Sequence, residues 1–190
     1  MTRGAIDDAR TEECGAVVVV ESMWGNTRTV AEAVADGLSE HLTSYVVAFS
    51  EAPAVLSGRI GLLVVGGPTH AFSMSRTSTR QDAVTRGADV AGATEIGLRE
   101  WLDDIARIPA TVRTAAFDTK VRKPRLPGSA AHAAARRLRK KGGRMSLPPE
   151  TFYVLDYEGP LAPGELDRAR AWGARLGAML PGSSSFVERC

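Results

Sequence analysis

Residues 16–20 read AVVVV, a continuous apolar run dominated by β-branched side chains with no polar alternation. A strand of that kind is buried on both faces, and strands buried on both faces belong to parallel sheets covered by helices. The rest of the chain repeats the theme. Residues 45–49 (YVVAF), 59–65 (RIGLLVV), 111–117 (TVRTAAF) and 151–155 (TFYVL) read as four further strands. Between them lie helical patterns. Val30, Ala31, Val34 and Leu38 recur on one face of 27–40, and Leu98, Trp101, Leu102 and Ile105 do the same around residue 100. A basic, alanine-rich helix is expected over 129–141, with Ala134 and Leu138 inward. A last helix is expected over 163–179, with Leu166, Ala169, Gly173, Leu176 and Leu180 along one side. Parallel neighbours need crossover connections, so five strands alternating with helices predict an α/β three-layer sandwich around a five-stranded parallel sheet.

One domain accounts for this pattern. It is expected over 15–180, between a loose tail at 1–14 and another at 181–190, PGSSSFVERC, which has no period. With 44% hydrophobic and 24% charged residues in 190, the chain has the composition of a globular protein with a proper core. No apolar run approaches the roughly 20 residues of a membrane helix, and the first 14 residues lack the apolar centre of a signal peptide. A cytoplasmic protein with no membrane partner is the expectation. Cys14 and Cys190 stand at opposite ends, outside the expected core, and form no disulfide framework or metal-ligand spacing. The stretch 71–94, rich in Ser, Thr, Arg and Gly, has no convincing period. It reads as a long insertion without regular structure, a kind of loop usually functional or mobile.

Ligands of open α/β sheets bind beyond the carboxyl ends of the strands, where the strand order reverses. Three loops leave those ends. The first, Ser22-Met23-Trp24-Gly25-Asn26-Thr27, runs into a helix whose first N–H groups are unpaired and attract phosphate. Gly25 permits close backbone approach, Ser22 and Thr27 carry hydroxyls, and Asn26 carries an amide. Capping of the helix by Asn26 or Thr27 explains the same residues equally well. Neither GxxxxGK[ST] nor GxGxxG occurs there, which argues against a P-loop or the usual dinucleotide site. The second loop, Pro68-Thr69-His70-Ala71-Phe72, follows Gly66-Gly67. The third begins at Asp118-Thr119, passes through the basic run KVRKPR (120–125) and ends at Gly128-Ser129.

The segment V-E-S-M-W-G-N-T, with Ala31 beyond it, resembles the flavodoxin phosphate signature. It is closer still to the S-M-Y-G stretch of flavodoxin-like quinone reductases of the tryptophan-repressor-binding-protein type. G-P-T-H-A-F at 67–72 resembles the G-x-P-T-[RK]-F-G segment that cradles the flavin ring in the same families. The resemblance implies a flavodoxin-like fold with strand order 2-1-3-4-5, FMN as cofactor, and electron or hydride transfer as function. It implies that Ser22, Met23, Trp24, Gly25, Asn26 and Thr27 hold the phosphate. Pro68, Thr69, His70, Ala71 and Phe72 then lie along the ring, with Thr69 able to hydrogen-bond the ring or the ribityl chain. Asp118, Thr119, Gly128 and Ser129 border the pyrimidine side. Two departures bear on function. Trp24 replaces a small hydroxyl residue, and the ring-stacking tyrosine of flavodoxins is missing where the basic run stands.

An FMN-dependent oxidoreductase of the NAD(P)H:quinone type or an electron carrier is therefore expected, with no catalytic side chain and no metal. The alternatives are a binding or regulatory module that has lost FMN and a protein that uses a deazaflavin (F420), whose acidic tail the basic run would attract. The second basic run, RRLRKKGGR at 136–144, has no interleaved aromatics and no reading motif, which argues against a nucleic-acid partner. The quinone-reductase resemblance leaves a homo-oligomer open.

Overall fold

The computed structural model describes residues 15–57, 60–70, 72–88, 94–122 and 127–180. The two expected tails lie outside these residues with Cys14 and Cys190, as do Arg59, Ala71, residues 89–93 and residues 123–126 of the first basic run. In chain order the elements are β1 (Gly15–Val20), α1 (Asn26–Leu38), β2 (Ser44–Ala48), β3 (Ile60–His70), β4 (Ser73–Met74), α2 (Thr77–Thr85), α3 (Leu98–Asp104), β5 (Arg113–Val121), α4 (Ala130–Lys140), β6 (Arg144–Met145), β7 (Glu150–Val154) and α5 (Glu165–Ala178).

The sheet runs β2-β1-β3-β5, all parallel, and β6 and β7 share the far edge of β5. This is the expected order of five parallel strands, with the fifth split in two. Pro148-Pro149 explains the split, because proline gives a ladder no N–H. Ser146 still donates its N–H to the Thr114 carbonyl at 2.8 Å, before the prolines.

Alternating side chains of each strand enter different layers. Val17 and Val19 of β1, Leu63 and Val65 of β3 and Ala116 of β5 pack with Trp101 and Leu102 of α3 and Ala134 and Leu138 of α4. Ala16, Val18, Leu62, Val64, Ala115 and Phe117 pack on the other face with Val30 and Val34 of α1 and Ala169 and Trp172 of α5. The second layer centres on three rings. Phe117, Phe152 and Trp172 meet edge to face with centroids 5.9–6.1 Å apart.

The structure departs from expectation in three places that matter for the site. β3 does not end before Gly66-Gly67-Pro68. It continues to His70, still paired with β5 through Gly66↔Phe117, Gly67↔Asp118 and Pro68↔Thr119. Gly66 is needed there for space: a Cβ would stand 2.0 Å from Phe117 Cζ. The stretch 71–94, read as lacking structure, contains β4, which pairs antiparallel with the end of β3, and the helix α2. The side chains that α2 buries are Arg80 and Ala83, so it has no apolar stripe to read. In α5, Leu166 is 38% exposed while Glu165 is buried. Glu165 accepts the Tyr153 N–H at 3.0 Å and pairs with Arg168 at 2.6 Å, which turns the first helical residue inward.

Candidate functional site

The carboxyl ends of β1, β3, β5 and β7 surround a cleft of about 200 Å³. Its walls are Met23, Trp24, Asn26 and Thr27 from the first loop, Pro68, Thr69, His70 and Phe72 from the second, and Thr119, Lys120, Val121 and Pro127 from the third. Val154 and Tyr157 close it at the end of β7. Of the expected site residues, Ser22, Gly25, Asp118, Gly128 and Ser129 do not line the cleft, and Ala71 is outside the described residues. Lys120, Val121, Pro127 and Val154 were missed, while Tyr157, in the turn after the fifth strand, was expected only as a residue that could border the site. Their signal was position: each lies at or just beyond the carboxyl end of a parallel strand, where the ligand rule points.

The first loop is organised around Gly25, left-handed at φ 82, which caps α1. Ser22 Oγ accepts the Arg28 N–H at 3.3 Å, and the Gly25 carbonyl accepts the Thr29 N–H at 3.0 Å. Among the described residues, the N–H groups of Ser22, Met23, Trp24, Gly25, Asn26 and Thr27 donate to no protein acceptor. N–H groups left without an acceptor at the positive end of a helix attract anions. The loop is tied down from outside. Asn26 Nδ2 donates to the Glu158 carbonyl at 2.8 Å, and the Thr27 and Thr119 hydroxyls lie 2.7 Å apart, joining the first loop to the turn after β7 and to the end of β5.

Asp118 has an internal role. It is 0% exposed, and its Oδ2 accepts from Thr69 Oγ1 at 2.8 Å, Ser129 Oγ at 2.6 Å and the Ala131 N–H at 2.9 Å. Thr69 Oγ1 in turn accepts the Ala130 N–H at 2.8 Å. The Thr69 side chain lines the cleft, and its hydroxyl, donating to Asp118 and accepting from Ala130, latches β3 to α4. The carboxylate sits on the N-terminus of α4, where its charge meets the helix dipole. Gly128, at φ 81, lets the chain turn into that helix against the second loop, since a Cβ would stand 1.9 Å from the Phe72 carbonyl oxygen.

Among the described residues, the cleft wall carries one ammonium, Lys120, and no carboxylate. Lys120 Nζ donates to the Gly128 carbonyl at 2.8 Å. His70 is 8% exposed and meets the Tyr157 ring edge to face at 5.7 Å. Burial lowers its pKa below the usual histidine value against a smaller opposing pull from Asp82, so it is neutral at pH 7. Phe72 is 52% exposed at the mouth and is held at φ 70, a left-handed backbone that costs a bulky residue on the order of 1–3 kcal/mol. Among the described residues no three His, Cys, Asp or Glu side chains group as metal ligands, and no helix is long and apolar enough to cross a membrane.

No family model matches the sequence, and no curated protein matches it. Solved structures do match the fold. Oxidised flavodoxin 1 of Bacillus cereus aligns over 87% of this chain and 99% of its own, with TM-score 0.63 at 16% identity. The Streptococcus pneumonia TIGR4 flavodoxin aligns over 87% and 99%, with TM-score 0.61 at 17% identity. The WrbA-like flavodoxin of Agrobacterium tumefaciens aligns over 86% and 94%, with TM-score 0.51 at 20% identity. Coverage of 86–87% of this chain and 94–99% of each of these proteins shows that the chain has the flavodoxin-like fold.

Proposed function

We propose that the cleft binds FMN and that the protein serves in electron or hydride transfer. The observation that carries this reading is the run of six unpaired amides from Ser22 to Thr27, at the head of α1, beside a wall that, among the described residues, holds Lys120 and no carboxylate. A phosphate monoester satisfies those donors and the helix dipole together. Trp24, Phe72, His70 and Tyr157 offer flat apolar surface for a planar ring, and the Asn26–Glu158 bond holds the loops that would flank it. When bound, the flavin supplies the redox chemistry, and the protein supplies position and electrostatics. Neutral His70 can donate or accept a hydrogen bond toward the cleft without adding a cation to it. Lys120 fixes the third loop through the Gly128 carbonyl and brings positive charge to the anionic ligand.

A second reading, a module of the same fold without cofactor, draws on the closed network of Asp118, Thr69 and Ser129, which joins β3, β5 and α4 without a ligand. One experiment separates the two. Purified protein is titrated into FMN, and flavin fluorescence and the visible spectrum are followed, with a parallel titration of F420. Saturable quenching with a structured, shifted absorption band supports the FMN reading. Quenching of F420 alone reassigns the cofactor, and no response to either supports the module.

A further inference from the structure

Arg80 is the most unusual side chain outside the cleft. It is a guanidinium with 0% exposure on a helix, α2, that has almost no apolar face of its own. Every arm is engaged. Nε donates to the Thr94 carbonyl at 2.7 Å, Nη1 to Ser75 Oγ at 2.9 Å and Nη2 to the Glu95 carbonyl at 3.0 Å. Nη2 also pairs with Glu100 Oε2 at 3.1 Å. Ser75 passes the connection on, donating its hydroxyl to Glu21 Oε1 at 2.5 Å, while the other Glu21 oxygen accepts the Leu98 N–H at 2.8 Å. Glu21 is itself buried and immediately precedes Ser22.

The far end of this chain of contacts is the candidate phosphate loop. Met23, the second residue after Glu21, is buried against Ala83 of α2 and Ala88 just beyond it, and Trp24 packs on the same cluster. Asp82, also on α2, acts electrostatically on His70 in the cleft wall. The helix thus packs on the first loop of the cleft and acts through Asp82 on His70 of the second, and an ionic bolt holds it where an apolar stripe would ordinarily do so. An arginine fork can bind three segments at once because its donors point in fixed, divergent directions.

We propose that Arg80 is a positioning residue for the candidate cofactor site: through Ser75 and Glu21 it fixes α2 against Met23 and Trp24, and so sets the shape of the first loop. Removing the guanidinium should release α2 and loosen that loop while the two core layers stay folded. The effect on FMN rests on the function proposed above; the effect on α2 does not.

The test compares the full chain with Arg80→Met by amide hydrogen exchange, by the indole N–H resonances of Trp24 and Trp172, and by FMN titration. The expected result has three parts. Protection is lost in α2 while β1 and β5 keep theirs, the Trp24 resonance shifts or broadens while that of Trp172 stays, and FMN affinity falls on the order of 10-fold, the lower end of what outer partners contribute at metal sites. Unchanged protection in α2 would overturn the proposal, as would an equal loss of protection in every element, which would make Arg80 a general stability residue. If the wild type does not bind FMN, the functional reading fails and the exchange and resonance data still decide the role of Arg80. Should Arg80→Met not fold, Ser75→Ala cuts only the link between Arg80 and Glu21 and carries the same expectations.

Discussion

Replacing Asp118 separates its part as a latch from any part as a ligand group. Its Oδ2 receives three donors, the Thr69 and Ser129 hydroxyls and the Ala131 N–H, at 2.6–2.9 Å, and the side chain has no solvent access. Asp118→Ala leaves all three donors without that acceptor inside the protein. At about 1–2 kcal/mol for each stranded donor, the loss is on the order of 3–6 kcal/mol. Part of it is recovered, because Oδ1 has no hydrogen-bond partner and its burial no longer weighs against the fold. A net loss of about 3 kcal/mol is expected, a large share of the 5–15 kcal/mol by which domains are stable. Asp118→Asn keeps an oxygen for the three donors and removes only the charge at the head of α4, for about 1 kcal/mol. Urea unfolding at pH 7, followed by far-UV circular dichroism, reads both values from the midpoint shift. Equal losses for Ala and Asn, or a loss below about 1 kcal/mol for Ala, would refute the latch.

Three further outcomes follow from the same contacts. Phe72→Gly removes a left-handed phenylalanine that buries little; thermal melting should show stability unchanged or raised by up to about 1 kcal/mol, and a clear loss would mean the ring packs more than its exposure indicates. Trp172→Ala takes out a buried ring touching both Phe117 and Phe152 and should cost about 3–5 kcal/mol by urea unfolding. Because burial lowers the His70 pKa, the unfolded chain takes up a proton near pH 6.5 that the folded chain refuses until lower pH. Stability from this residue is therefore full above pH 6.5 and is lost as pH falls toward the folded value, and His70→Asn should flatten that part of the stability–pH curve.

The sheet was legible because its strands are written in the plainest code available. AVVVV and GLLVV are apolar without alternation, and the helices between them carry 3.6-residue stripes such as Val30–Val34–Leu38. The location of the cleft followed from the same pattern, since the rule about strand ends needs only strand order. What escaped was structure held by polar contacts. α2 is anchored by a buried arginine, and a Ser/Thr/Arg-rich segment looks the same whether its arginine is solvated or linked through Ser75 to a glutamate 59 positions earlier. That Asp118, Thr69 and Ser129 bond one another was not legible, because the sequence lists donors and acceptors without saying which of them meet. Gly66-Gly67-Pro68 looked like a strand end, and only the Phe117 ring lying over Gly66 shows why the strand continues.

The central claim is that the free amides of residues 22–27 hold a phosphate, and the most direct measurement is the ratio of the dissociation constants of FMN and riboflavin by fluorescence titration. The two ligands share the ring and differ in the phosphate. Two charge-assisted hydrogen bonds alone predict that FMN binds at least about 100-fold more tightly, or about 2.7 kcal/mol. Equal affinities, or riboflavin bound and FMN refused, would contradict the assignment of the first loop.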